Sequence, residues 1–333
     1  MTTTVAAFPT ATLIRESQPI GRSVRGWALG PGRTLAGRYA GPALSLAILG
    51  AALYELGHID LGRIVSLVPA RPAFWVVFAL SYMVQPLCDW AIYRRLWNIP
   101  VSAVVATTRK TIGNELLFGY VGEAYLYSIA RRRGQGAAAA FKAVRDVAIL
   151  SSAMGSVATL VVLALAWPWL AHLSLGVTPL LLAATLVVIA TPPIAALAFR
   201  SKLSLPASLL AQIAGWHGLR AAATVTLTAV LWHLAMPAVA VHWWLVLSAV
   251  KLLVSRLPFV SNRELIFAGI TSLIFGRAAD IAALMAMMAA LMVAAHVMAG
   301  IGTAAGDAAV SAIAGIRTSR RTARHLNRHT IAA

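Results

Sequence analysis

Residues 146–167 read DVAILSSAMGSVATLVVLALAW, a run in which Asp146 is the one charged side chain. An α-helix rises about 1.5 Å per residue, so about 20 apolar residues are enough to cross the hydrocarbon core of a bilayer. Other windows that meet this test are 39–57, 72–93, 179–199, 216–236, 238–256 and 279–302. The sequence therefore predicts an all-α fold, a polytopic transmembrane helical bundle.

The composition of the whole chain agrees with this class and excludes an ordinary soluble domain. Hydrophobic residues make up 60% of the 333 residues and charged residues make up 11%. The mean hydropathy is +0.79, which is far above the range of soluble proteins. The single cysteine, Cys88, excludes an internal disulfide and a cysteine-rich metal site. The eight histidines lack the spacing of a metal motif, so we expect no metal and no other cofactor.

The net charge of +18 is concentrated near the two ends of the chain. By the positive-inside rule, the arginines within residues 1–38 and 303–333 place both tails in the cytoplasm. Neither tail interleaves aromatic residues with its charges, so nucleic acid is not an expected partner. We predict a basic, disordered cytoplasmic tail at 1–38, a transmembrane domain at 39–302 and a basic cytoplasmic tail at 303–333. The predicted location is a bacterial inner membrane, crossed several times.

The charges in the loops predict about eight crossings and two irregular segments. If residues 111–130 crossed the bilayer fully, the arginines at 131–133 would lie outside, against the charge rule. We therefore expect a re-entrant or interfacial segment at 111–130, after a cytoplasmic loop that carries Arg109 and Lys110. A second short or broken segment at 258–276 supplies the crossing that returns the C-terminal tail to the inside.

Two short stretches that lie far apart place a glutamate within apolar sequence. Residues 114–119 read NELLFG, and residues 262–269 read NRELIFAG. A glutamate at bilayer depth is costly unless it faces a cavity or a partner. Interrupted segments at corresponding places in two halves of a membrane protein are typical of a transporter's binding site. The alternative is a chance match in a chain rich in alanine and leucine.

These stretches belong to longer runs that carry a family resemblance. Residues 113–133, GNELLFGYVGEAYLYSIARRR, resemble a signature of the lysylphosphatidylglycerol synthase transmembrane-region family, which is also described as flippase-like. Residues 257–264, LPFVSNRE, resemble its second signature, a Leu-Pro followed by glycines and an Arg-Glu or Gly-x-x-Glu. The chain departs from the pattern at Phe118, where the family has proline, and at Ser261 and Asn262, where it has a glycine pair.

The resemblance extends over residues 40–302 and implies a module that moves a lipid head group across the bilayer or handles lipid-linked intermediates. In the best-known members this module is fused to a cytoplasmic aminoacyl-transferase domain. About thirty residues follow Gly302, which are too few for such a domain, so we expect the translocation activity and not the aminoacyl transfer.

The candidate substrate-binding residues combine cations suited to a phosphate with carboxylates suited to an amine or a proton. They are Asp89, Asn114, Glu115, Glu123, Arg131, Arg132, Arg133, Asn262, Arg263 and Glu264. Arg263 is the best-placed single cation. The arginine triplet, together with Lys142 and Arg145, is suited to gathering anionic head groups at the inner surface.

Several of these residues have a structural alternative. The arginine triplet is also typical of a topology anchor. Lys142 and Asp146 have the i,i+4 spacing of a helical ion pair. Asp89 is close enough to Arg94 in the sequence for an interfacial position.

The function predicted from these features is a flippase-like lipid transporter without enzymatic activity of its own. Its expected partners are membrane lipids with anionic or lipid-linked head groups, a second copy of the chain or a separate lipid-modifying enzyme. Two alternatives remain open. One is an integral-membrane transferase with Glu115 or Asp89 as the base, and the other is a membrane scaffold that transports nothing.

Overall fold

The computed structural model describes residues 68–117, 120–171, 178–256, 263–275, 281, 283–306 and 308. Within these ranges every regular element is helical, and no strand is found. The nine helices described are α1 (Pro72–Trp97), α2 (Val104–Leu116), α3 (Val121–Arg132), α4 (Ala137–Leu170), α5 (Pro179–Ala198), α6 (Ala207–Ala235), α7 (Val241–Ser255), α8 (Arg263–Phe275) and α9 (Ala283–Gly306). The predicted all-α fold is confirmed for the described part of the chain. The predicted span at 39–57, the N-terminal tail and Asn262 lie outside the described residues.

Three of the described helices, α1, α4 and α9, are long and apolar enough to cross a membrane. Two shorter apolar stretches, Leu182–Ala198 within α5 and all of α7, accompany them. Helix α4 has 34 residues, or about 50 Å, so it exceeds the hydrocarbon thickness of about 30 Å. The outer faces of α1 and α4 expose large apolar side chains, among them Leu80 and Val161. Such faces are compatible with lipid contact, while the total of eight crossings stays a prediction.

The ends of α1 follow from local sequence. Pro72 occupies its first position, where the missing N–H has no intrahelical partner to lose. The helix ends at Asn98, which adopts a left-handed conformation with φ 48° and donates its N–H to the carbonyl of Arg94 at 2.9 Å. Pro86 lies inside the helix, close to the buried Asp89.

Helix α6 is the centre of the packing, because it contacts α1, α4 and α7. Helix α5 packs on α4, and α8 packs on α7. The largest apolar cluster brings Trp232 of α6 and Trp244 of α7 together with Phe267 of α8 and Met285 of α9. This cluster connects the second half of the chain to Phe74 at the start of α1.

Helices α2 and α3 form a short pair that packs on α1 and α4. They have 13 and 12 residues, so each is about 20 Å long or less and spans only part of a bilayer. The chain breaks between them, and Tyr120 has a φ of 78° just before α3. A Cβ on Gly122 would collide with the backbone oxygen of Lys110, so glycine is what permits the close approach of the two helices. The predicted irregular segment at 111–130 therefore spans the break within this pair.

Candidate functional site

Helix α2 is buried although its composition is polar. Residues 106–113 are all buried. Five of them in a row are polar or charged, namely Thr107, Thr108, Arg109, Lys110 and Thr111. The prediction that Arg109 and Lys110 lie in a loop is wrong, because both belong to α2, where they are only 7% and 5% exposed. Buried charges require ionic or hydrogen-bonding partners. The partners of Lys110 define the candidate site.

Lys110 lies between two carboxylates from different helices. Its Nζ is 2.8 Å from Oδ2 of Asp89 on α1 and 3.1 Å from Oε1 of Glu123 on α3. The side chain of Asp89 is completely buried, whereas that of Glu123 is 16% exposed. One ammonium group thus connects three helices, and only one of its two carboxylates is in reach of solvent or a ligand.

Asn114 fixes the position of Glu123. Its Nδ2 donates a hydrogen bond to Oε2 of Glu123 at 2.9 Å, and its Oδ1 accepts one from the backbone N–H of Gly122 at 2.7 Å. Lys110 and Asn114 are four residues apart, so they occupy the same face of α2. This spacing places both polar groups against the first turn of α3.

Arg220 of α6 completes the network on the opposite side of Asp89. Its Nη1 is 3.5 Å from Oδ1 of Asp89, and its Nη2 donates a hydrogen bond to Ser151 of α4 at 2.9 Å. His217 is buried one turn earlier on α6 and interacts electrostatically with Asp89, Arg220 and Lys110. The buried ionic network consists of Asp89, Lys110, Glu123 and Arg220, with two charges of each sign.

The sequence predicted three members of this site, Asp89, Asn114 and Glu123, and missed Lys110 and Arg220. The ion-pair partners of Asp89 are Lys110 and Arg220, and its side chain is completely buried between these two cations. The signal for Lys110 was its four-residue spacing from Asn114. Arg220 interrupts the apolar window 216–236, and this interruption was the corresponding signal on α6.

The two similar stretches occupy different positions in the fold. The first ends α2, whereas the second begins α8 at Arg263. Glu264 forms an ion pair of 2.8 Å with Lys251 of α7. Glu115 and Glu264 nevertheless both interact electrostatically with His296 of α9, so the two stretches approach the same helix.

The arginine triplet lies away from the network, at the other end of α3. Arg131 is exposed and donates a hydrogen bond to the carbonyl of Gln135 at 2.6 Å. Arg132 keeps its Nε and Nη2 buried without a hydrogen-bond partner among the residues that the structure describes. Arg133 is exposed. Glu123 and Arg131 are eight residues apart, or about 12 Å along the helix, so the structure does not join the triplet to the ionic network.

Arg145 and Asp146 of α4 form a separate contact with the loop before α6. Oδ1 of Asp146 accepts a hydrogen bond of 2.7 Å from Nη2 of Arg145. Its Oδ2 accepts the backbone N–H groups of Ser204 and Leu205 at 2.6 and 3.1 Å. The ion-pair partner of Asp146 is therefore Arg145 and not Lys142, which is exposed. Asp146 holds the loop before α6 against α4.

Comparisons with known proteins identify no relative of this chain. The chain matches no protein-family model, no curated protein and no solved structure. In the described part of the chain, histidine, cysteine and carboxylate side chains do not gather in a group that would hold a metal ion. What the site can do chemically follows from its charges alone.

Proposed function

We propose that the chain is a flippase-like protein of a bacterial inner membrane, which binds and translocates the head group of a phospholipid or of a lipid-linked intermediate. The observation that carries this proposal is the buried ionic network of Asp89, Lys110, Glu123 and Arg220. It lies where the short helices α2 and α3 meet α1 and α6.

A buried ion pair is weak evidence for a purely structural role. Replacing such a pair by apolar residues of similar volume is often neutral or stabilising. Charged groups within apolar helices are typical of substrate or proton pathways, where they face a cavity or one another. The network therefore indicates a use for charge inside the bundle, and a polar head group is a cargo that needs it.

The ion pairs of the network differ in length, and the longer one is the contact that a head group could replace. Arg220 is 3.5 Å from Asp89, longer than the 2.8 Å contact between Lys110 and the same residue. Glu123 is the partly exposed carboxylate. A head-group phosphate would compete for Arg220, and a head-group amine would replace Lys110 at Glu123.

The short helix pair supports the same proposal. Broken or half-length helices at bilayer depth are tolerated where they line a cavity, and their ends supply unsatisfied backbone groups to a substrate. Helices α2 and α3 have this length, and we propose that they form the re-entrant segment predicted at 111–130. The resemblance of residues 113–133 to the flippase-like family points to the same segment.

Exchange of a fluorescent lipid between leaflets tests the proposal. Purified protein is placed in liposomes with a phospholipid that carries a fluorophore on its acyl chain. A membrane-impermeant quencher then measures the fraction of the labelled lipid in the outer leaflet. We expect the unmodified protein to speed exchange and Glu123→Gln to abolish the gain, because the amide keeps the size and loses the charge. Arg95→Gln, which changes an exposed residue of α1, is the matched control.

Absence of exchange with the unmodified protein across anionic and zwitterionic lipids would refute transport. If the same liposomes convert the lipid into a new product without exchange, the chain is a membrane transferase instead. Retention of the folded state by Glu123→Gln is verified by size-exclusion chromatography before the assay.

A further inference from the structure

Next to Asp89 of the ionic network, Arg220 and Arg256 lie against one face of α4, and Arg263 is within electrostatic range of Arg256. Arg220 comes from α6, Arg256 directly follows α7, and Arg263 begins α8. Arg256 interacts electrostatically with both of the others. We propose that Arg220, Arg256 and Arg263 form a binding site for a phosphate group, free or carried by a lipid.

The geometry on α4 places two of the guanidinium groups side by side. Arg220 donates to Ser151 Oγ at 2.9 Å, and Arg256 lies over Gly155. A Cβ built on Gly155 would be 2.9 Å from Nη2 and 3.0 Å from Cζ of Arg256. Ser151 and Gly155 are four residues apart, so their side-chain positions are about 5–6 Å apart on one helix face. The absent side chain at Gly155 provides the space for the second guanidinium.

These positive charges have too few negative partners. Among the residues that the structure describes, no carboxylate lies within ion-pair distance of Arg256 or Arg263. Arg256 donates hydrogen bonds to Ser255 Oγ at 3.2 and 3.0 Å, and that acceptor is neutral. The Nε of Arg263 is buried, and no hydrogen-bond partner for it is found in the described part of the chain.

Like charges that are partly withdrawn from water repel one another unless an anion lies between them. A phosphate fits because its oxygens accept several N–H donors at once, and planar guanidinium groups bind it in a bidentate manner. Arg220 connects this site to Asp89 of the ionic network. The inference deepens the proposed function and rests on it for the physiological source of the phosphate.

Ligand-dependent thermal unfolding tests the site without requiring transport. The full chain is purified in an uncharged detergent, and its tryptophan fluorescence is followed during heating. The probes are dihexanoyl-phosphatidylglycerol, inorganic phosphate, and dihexanoylglycerol as the phosphate-free control. A ligand that binds the folded state raises the unfolding midpoint, and the rise grows with the logarithm of the ligand concentration once this exceeds the dissociation constant.

We expect phosphatidylglycerol to raise the midpoint and dihexanoylglycerol to leave it unchanged. Arg256→Gln and Arg263→Gln should each weaken the apparent affinity by about tenfold or more, since a hydrogen bond to a charged group is worth at least that factor. Gly155→Ala keeps every charge and should weaken binding by displacing the flexible guanidinium of Arg256. Arg95→Gln should bind as the unmodified chain does.

The probes also separate the two sources of phosphate. If inorganic phosphate raises the unfolding midpoint as the lipid does, the site binds the phosphate group itself. If only the lipid raises the midpoint, the rest of the lipid contributes to binding. The site is overturned if no phosphate probe stabilises the protein, or if the variants Arg256→Gln, Arg263→Gln and Gly155→Ala respond as the unmodified chain does. Binding without lipid exchange would refute the proposed transport and leave the site standing, whereas exchange without binding would refute the site alone.

Discussion

Replacing Lys110 by methionine tests whether the ionic network is as tightly coupled as its geometry indicates. Methionine keeps most of the volume and flexibility of lysine but removes the charge that lies 2.8 Å from Asp89 and 3.1 Å from Glu123. Removing one partner of a buried ion pair costs about 3–5 kcal/mol, because the other charge stays buried and uncompensated.

The expected cost lies at the lower end of that range. Asp89 keeps Arg220 at 3.5 Å, and Glu123 keeps the hydrogen bond from Asn114. A loss of about 3 kcal/mol corresponds to a fall of roughly 4–6 °C in the unfolding midpoint for a chain of this size. Tryptophan fluorescence in detergent measures it, and Lys202→Met, which removes an exposed lysine, provides the matched control.

A double substitution distinguishes lost pairing from lost packing. Asp89→Asn removes the carboxylate that Lys110→Met leaves uncompensated, so the two changes together should destabilise less than the sum of the single changes. We expect a coupling of about 1–3 kcal/mol, as for contacting residues in one network. Additive effects, or a Lys110→Met midpoint equal to that of the control, would refute the network as an interacting unit.

Three other perturbations address separate parts of the structure. Gly122→Ala should destabilise the chain by about 1–3 kcal/mol, because its Cβ meets the backbone of α2, whereas Gly215→Ala, which has open space, should be neutral or stabilising in the same melting experiment. Asp146→Ala should cost roughly 1–3 kcal/mol for each of the two backbone N–H groups that lose their acceptor, and an unchanged midpoint would contradict this role. A cysteine introduced at Arg132 in a Cys88→Ala background should resist reagents confined to the outer face of the membrane, since we place the end of α3 on the inner side; ready labelling from outside would contradict the re-entrant assignment.

Much of the fold follows from local sequence. The windows 72–93 and 279–302 match α1 and α9 closely, because about 20 uninterrupted apolar residues specify a helix long enough for a bilayer. The apolar window 216–236 predicts a helix that is shorter than the observed α6, Ala207–Ala235, because polar residues precede the apolar run. Helix α6 begins at Ala207, earlier than its apolar run, where Asp146 accepts N–H groups from the preceding loop.

The candidate site follows less directly from the sequence than the helices do. The charge rule assigns Arg109 and Lys110 to a loop because it counts cations and takes no account of partners that lie far away in the chain. Lys110 pairs with Asp89, 21 residues earlier, and the partner Arg220 is more than a hundred residues further on. Pairings of this kind depend on how helices are arranged in space, which hydrophobic periodicity does not specify.

The contacts between α4 and α6 occur at several levels along both helices. Asp146 binds the loop before α6, Ser151 accepts a hydrogen bond from Arg220, and a Cβ at Gly218 would come within 3.2 Å of the end of the Met154 side chain. Sliding of one helix along the other would break these contacts together. A rearrangement of the bundle is therefore expected to carry α4 and α6 together as one unit.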